Sequence, residues 1–156
     1  MKKYFVAALG IIMAMFLFTS CGSGAKEVTA TTDEIFSEIQ NQVVLPVTFE
    51  NSADDIFSYY GIDTTLLTEF KFVEAEDAIK VDTIVLMKVK EESDVEKVKT
   101  SLASIIDQKK DTMNNYLPEQ YDIACKAVLE SSGNFVYLVI SKDVSKIQKI
   151  IESYIK

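Results

Sequence analysis

Apolar residues recur along this chain with two different periods, and the alternation between the periods predicts the order of elements. Ile35, Phe36, Ile39 and Val43 stand at helical spacing and predict a helix at about 33–43. Thr31 and Glu34 form a capping-box pair ahead of it, and Pro46 stops any continuation. Ser52 to Asp55 repeats the capping pattern before Ile56, Phe57 and Tyr60, and Gly61 suits the left-handed position after a helix end. That gives a short second helix at about 53–60. A period of two then takes over. Phe70 to Ala75 reads as a strand, and Asp82 to Lys90 as a better one, with Val85, Met87 and Val89 on one face and Ile84 and Leu86 on the other. A turn through Asp77 to Val81 makes the pair a hairpin.

Ser93 or Asp94 opens the longest helix, predicted to reach about Tyr116, with Val95, Val98, Leu102, Ile105, Ile106 and Met113 along one side. Pro118 opens a short turn or helix through Tyr121. Ile123 to Ser131 and Phe135 to Ser141 flank Ser132-Gly133-Asn134 and read as a second hairpin. On its first strand Ile123, Cys125, Ala127 and Leu129 would share a buried face, which predicts a buried and inert Cys125. Phe135 to Ile140 is apolar on both faces and must be covered from both sides. Asp143 precedes a last helix with Val144, Ile147, Ile150, Ile151 and Ile155 inward. The expected fold class is therefore α+β: a four-stranded antiparallel sheet built as strand-strand-helix twice. The two long helices pack on one face and the short N-terminal helices on the other. Helices this short depend on docking, so residues 33–60 are expected to be the mobile layer, with a ligand site where that layer meets the sheet. Asp94, Val95, Lys97, Val98, Leu102 and Ile106 match Asp143, Val144, Lys146, Ile147, Ile151 and Ile155 at a constant offset of 49 residues. Duplication and the plain likeness of two amphipathic helices both explain this.

The first twenty residues follow a different rule. Lys2 and Lys3 are basic, Phe5 to Phe18 is an apolar run, and the small pair Thr19-Ser20 precedes Cys21. These are the three zones of a secretory signal, and the run is short of the ~20 residues that span a bilayer. The cleavage region resembles the bacterial lipoprotein signal, with Phe18 in the place of the usual Leu. That likeness implies lipid attachment at Cys21 and a location on the outer leaflet of the cell membrane. Two acyl chains would satisfy the requirement for stable anchoring. The organisation expected is a signal peptide at 1–20, a tether at 21–32 and one globular domain at 33–156. Gly22 to Thr31 is small and polar and would span about 18 Å as a flexible linker.

Charge and composition narrow the partners. The chain carries −8 at neutral pH, and loss of Lys2 and Lys3 would leave −10. Such a protein is repelled by nucleic acid and by anionic head groups, so the membrane partner is reached through the lipid on Cys21. There is no histidine, which removes Ser-His-Asp and Cys-His catalysis and the commonest metal ligand. With Cys21 lipidated, Cys125 is the remaining thiol, so neither an internal disulfide nor a Cys-rich zinc site is expected. No metal and no cofactor is expected.

Two groups of residues carry candidate chemistry. Glu74, Glu76, Asp77 and Asp82 gather around the first hairpin, where paired carboxylates could act as acid and base or hold calcium. The calcium-loop pattern is missing, and a solvated hairpin tip explains them as well. Tyr116, Pro118, Glu119 and Gln120 could form a polar and aromatic binding lip. A helix end followed by a Pro-initiated turn is the plainer account. Tyr59-Tyr60-Gly61 divides in the same way between ligand platform and helix end. The functional expectation is a non-enzymatic binding or interaction module. A carboxylate-dependent extracytoplasmic hydrolase is the alternative.

Several of these stretches together resemble a known group. They are Tyr60-Gly61-Ile62-Asp63, the acidic strand before Ile84–Val89, Gln108, Tyr116-Leu117-Pro118-Glu119-Gln120 and Gly133-Asn134-Phe135-Val136. Over about residues 55–145 the chain resembles small, mostly Gram-positive bacterial lipoproteins that share a domain of unknown function. The resemblance implies a location and a domain boundary and no mechanism.

Overall fold

A computed structural model describes residues 28–155. The signal segment, Cys21 and most of the expected tether lie outside the described residues. Among the described residues Val28 is already buried, with Ala30 beside it, so globular contacts are made before residue 33.

The helices form where their caps are. In α1 (Thr32–Gln42) Thr31 and Glu34 make the reciprocal capping box, and Ile35, Phe36 and Ile39 are buried. In α2 (Ala53–Tyr60) Ser52 and Asp55 do the same, and Gly61 ends the helix at φ +64°, a conformation that costs other residues. The longest helix, α3 (Val95–Met113), buries Val95, Val98, Leu102, Ile105 and Met113 as expected. A 3₁₀ turn, Glu92–Asp94, leads into it, and neither Ser93 nor Asp94 provides a side-chain cap. It stops three residues short of Tyr116, where Asn115 enters the left-handed region at φ +61°.

The sheet is antiparallel and has five strands, in the order β1-β2-β3-β5-β4. The expectation of four omitted β1 (Thr48–Glu50), which pairs with β2 (Leu67–Ala75). Three residues are too few to display a period of two, so the pattern could not reveal this strand. Both expected hairpins are present, β2–β3 (Thr83–Val89) with β2 starting earlier and β4 (Val128–Ser132)–β5 (Phe135–Ile140) with β4 starting later than the pattern suggests, and β3 joins β5 at the centre. Gly133 turns the second hairpin at φ +54°.

Three placements differ from expectation. Residues 118–125 form a helix, α4 (Pro118–Cys125), where a strand from Ile123 was expected. Pro118 sits in its first turn, where its missing N–H costs nothing. Gln120 and Ala124, four apart, face the core, with Leu117 and Tyr121 against it. The alternation of Ile123, Cys125, Ala127 and Leu129 runs across a helix end and a strand start. Cys125 is therefore exposed, not buried.

The layers are also exchanged. The core on one side of the sheet joins Val85, Met87, Val136, Leu138 and Ile140 to α2, α3 and α4. The core on the other joins Ile84, Leu86, Phe135, Tyr137 and Val139 to α1 and α5 (Val144–Ile155). The two long helices thus lie on opposite faces, and so do the two N-terminal helices. All six residues of β5 are buried, and each face of the strand is covered by one long helix and one N-terminal helix, with α4 added on the α3 side. Phe57, expected to help, is 62% exposed. This arrangement bears on the internal repeat as well. A rotation that exchanges the adjacent antiparallel strands β3 and β5 keeps each face of the sheet, yet α3 and α5 follow them onto opposite faces. The matching helix sequences are not related by a rotation of the fold.

Helix α1 is held to the sheet by more than its apolar face. Lys71 Nζ lies 2.9 Å from Asp33 Oδ1 and 2.5 Å from Glu50 Oε2, and 5.6 Å from the centre of the Phe36 ring. The Thr32 N–H donates to Glu69 at 3.1 Å, and Lys146 donates to the Gln42 carbonyl at 2.5 Å.

The helical placement of Cys125 is testable. In the chain carrying Cys21→Ser, Cys125 is the one remaining thiol. It should react with a thiol reagent in the folded protein without denaturant. Cys125→Asp should change stability by no more than about 0.5 kcal/mol, whereas Ala124→Asp at the buried neighbour should cost about 3 kcal/mol or more. A thiol protected until denaturation would show that residues 118–125 are not exposed this way.

Candidate functional site

The most developed polar cluster is built around Glu74. Alternation along β2 turns Phe72 and Glu74 to the α3 side, with Val73 to the other. A carboxylate only 4% exposed must find partners, and three separate elements supply them. Asn51, itself buried between β1 and α2, donates through Nδ2 to Glu74 Oε2 at 2.9 Å. Tyr60, at the end of α2, donates its hydroxyl to the same oxygen in a short hydrogen bond. Lys109 reaches down from α3 and places Nζ 2.8 Å from Glu74 Oε1. The Tyr60 ring packs on Phe72 with centroids 4.8 Å apart, which fixes the hydroxyl.

The electrostatics follow from these contacts. Burial alone would raise the Glu74 pKa, but hydrogen bonds from Lys109, Tyr60 and Asn51 and the Lys109 charge outweigh it, and the net shift is downward. Burial, and after it the bond to Glu74, pushes the Tyr60 hydroxyl well above the ordinary tyrosine value. Glu74 is thus a fixed anion and Tyr60 a fixed donor. Neither is poised to exchange a proton near neutrality.

Beside this cluster lies a cleft of about 350 Å³ between β1, the end of β2 and α3. Phe49, Ile105 and Met113 give it apolar walls, and Tyr60, Glu74, Lys80, Gln108 and Lys109 are among its polar lining. Lys80 belongs to the 76–82 loop, and the loop is tightly held. The Ile79 N–H donates to Asp77 Oδ1 at 3.1 Å, and the Lys80 N–H to the Asp77 carbonyl at 2.9 Å. The buried Gln120 accepts the Val81 N–H at 3.0 Å through Oε1.

The candidate residues read from the sequence separate here. Tyr116 is 70% exposed in the loop after α3. Pro118 starts α4, and Gln120 is the buried clasp on the 76–82 loop. Glu119 is exposed and borders a second cleft of about 330 Å³ with Lys80, Asp82 and Lys142. The hairpin carboxylates also part: Glu74 is buried, Glu76 is exposed, Asp77 closes the turn, and Asp82 faces the second cleft. No group of three or more Asp, Glu or Cys among the described residues is arranged to hold a metal ion. What the sequence reading missed is the convergence on Glu74. Asn51 and Lys109 lie 23 and 35 residues from it, and no local pattern joins them.

The Glu74 contacts predict a pH dependence. A folded pKa below the ordinary value of 4.5 contributes stability that is present above that value and lost as pH falls through the folded pKa. Glu74→Gln should cost about 2 kcal/mol at pH 7 by leaving Lys109 without its anion. It should also flatten the loss of stability between about pH 5 and pH 3. Denaturant titrations across that range decide the matter. A variant as stable as the parent, with the same acid slope, would mean that the cluster contributes nothing.

Several stretches that carried the resemblance come together at this cleft: Tyr60, Glu74 of the acidic strand and Gln108 line it, and Gln120 clasps its lip. Asn134 instead closes the far end of the sheet, donating through Nδ2 to the Val89 carbonyl at 3.0 Å. No curated protein and no solved structure matches the chain. A family model does match, over residues 47–141, from β1 to the end of β5. The chain belongs to the family defined by that model, Domain of unknown function (DUF4358).

Proposed function

We propose that this protein is a lipoprotein, anchored through acyl chains on Cys21 to the outer leaflet of the cell membrane, and that its folded domain is a non-enzymatic binding module. The observation that carries the anchor is the succession of Lys2-Lys3, the apolar run Phe5–Phe18 and Thr19-Ser20-Cys21. No described helix is long and apolar enough to cross a membrane.

The geometry of the domain supports the reading. Val28 is seven residues from Cys21, so the tether reaches at most about 25 Å. Val28 and α1 pack on the α5 side of the sheet, while the Glu74 cleft opens on the α3 side. The chain at Val28 thus leaves the domain on the face opposite the cleft, which favours an open cleft. The Glu74 cluster favours binding over hydrolysis. All three donors point at a carboxylate that stays ionised, so it is a poor acid, and its depressed pKa makes it a poor base.

Metabolic labelling with a palmitate analogue tests the anchor. The native chain should take up the label and sediment with membranes. Cys21→Ala should lose the label and change fraction. A native chain that remains unlabelled would overturn the anchor, whatever the domain binds.

A further inference from the structure

We propose that the cleft beside Glu74 binds a small organic monocarboxylate with an apolar body. This rests on reading the domain as a binding module and names the chemistry of its ligand. Three observations carry it. The first is charge. The chain as a whole is at −8, but the charged groups lining this cleft are Lys80, Lys109 and Glu74, which sum to +1. One negative charge on a ligand neutralises the site, and two would overfill it.

The second is donor count. Lys109 gives one N–H to Glu74 Oε1 at 2.8 Å, and an ammonium has three. Glu74 orients Lys109 and leaves two donors for the cleft. Tyr60 and Asn51 are already committed to Glu74. The groups left facing the cleft with donors, Lys109, Lys80 and the Gln108 amide, suit an acceptor-only ligand group such as a carboxylate. The backbone that carries Lys80 is held on both sides, by its own N–H to the Asp77 carbonyl and by Gln120 on the next residue.

The third is the apolar wall. Ile105 and Met113 are almost fully buried below the cleft, while Phe49 stands 46% exposed on its rim. An aliphatic or aromatic ligand body would cover that ring. The volume, about 350 Å³, falls at the low end of the ~300–1,000 Å³ range of small-molecule sites.

The test is calorimetric titration of the full-length chain in non-ionic detergent with 4-phenylbutyrate and with its uncharged amide. The acid should bind with a dissociation constant on the order of 0.1–1 mM, as suits a ligand of about a dozen heavy atoms, and the amide at least ~10-fold more weakly. Lys80→Met, at an exposed residue, should weaken the acid about 3- to 10-fold and leave the amide unchanged. Met113→Trp should abolish binding of both by filling the cleft. Thermal melts confirm that each variant is folded, and Lys80→Met carries the test if Met113→Trp is not. Equal binding of acid and amide, absence of binding at about 10 mM, or unchanged acid affinity in folded Lys80→Met would each overturn the proposal. Palmitate labelling does not involve the cleft, so failure here leaves the anchor standing, and failure there leaves this measurement intact.

Discussion

Two adjacent strands with no solvent-facing side dictate this fold. β3 and β5 form the centre of the sheet, and their apolar residues alternate between two cores, with Val85, Met87, Val136 and Leu138 on one side and Ile84, Leu86, Tyr137 and Val139 on the other. Burying such a pair is favourable only if both faces are covered. Each long helix follows one of the two strands, and each takes a different face. Phe135 and Tyr137 are covered by α1 and α5 together, and Val136 and Leu138 by α2, α3 and α4. The division of helices follows from the apolar area that each side must lose.

The polar groups obey the same constraint. Tyr137 is fully buried, and its hydroxyl reaches out to Glu130 at 2.9 Å at the rim of its layer. Glu74 is the harder case, because its charge sits under α3. It is held by side chains from β1's end, α2 and α3, so the cluster ties three elements together. Tying a carboxylate to three donors gives up its use as an acid or base and yields a rigid floor on which a cleft can be shaped.

The sequence made the local features legible and hid the long-range ones. Thr31 with Glu34, Ser52 with Asp55, and Gly61 mark helix ends through contacts within four residues, and all are found. The two faces of β3 could be assigned because alternation needs only neighbours. The helix after Pro118 runs past Tyr121 to Cys125, into the expected strand, because Ile123, Cys125, Ala127 and Leu129 alternate by coincidence, while the helical pair Gln120 and Ala124 contains a glutamine that no apolar pattern would count. Gln120 is buried because it accepts the Val81 N–H, a partner 39 residues away. Glu74 was hidden in the same way. Beside Glu76 and Asp77 it looks like solvated charge, and only the chain's return through Asn51, Tyr60 and Lys109 makes it a centre.

The limits of the family match acquire a physical meaning from the two cores. Residues 47–141 include every strand and α2, α3 and α4, so the core on the α3 side and the whole Glu74 cleft fall inside the matched region. The other core depends on α1 and α5, both outside it. One face therefore holds the elements that define the family, and the opposite face holds a cover contributed by the two flanks of the chain. The flanks meet each other on that face: Lys146 of α5 donates to the carbonyl of Gln42 at the end of α1. A sheet apolar on both sides cannot leave that face bare, so the flanking helices are required for the fold even though they lie outside the family's boundary. They bear on the cleft only through the sheet between them. Changes to the flanks should thus act on stability, and changes in the α3 layer on whatever the cleft recognises.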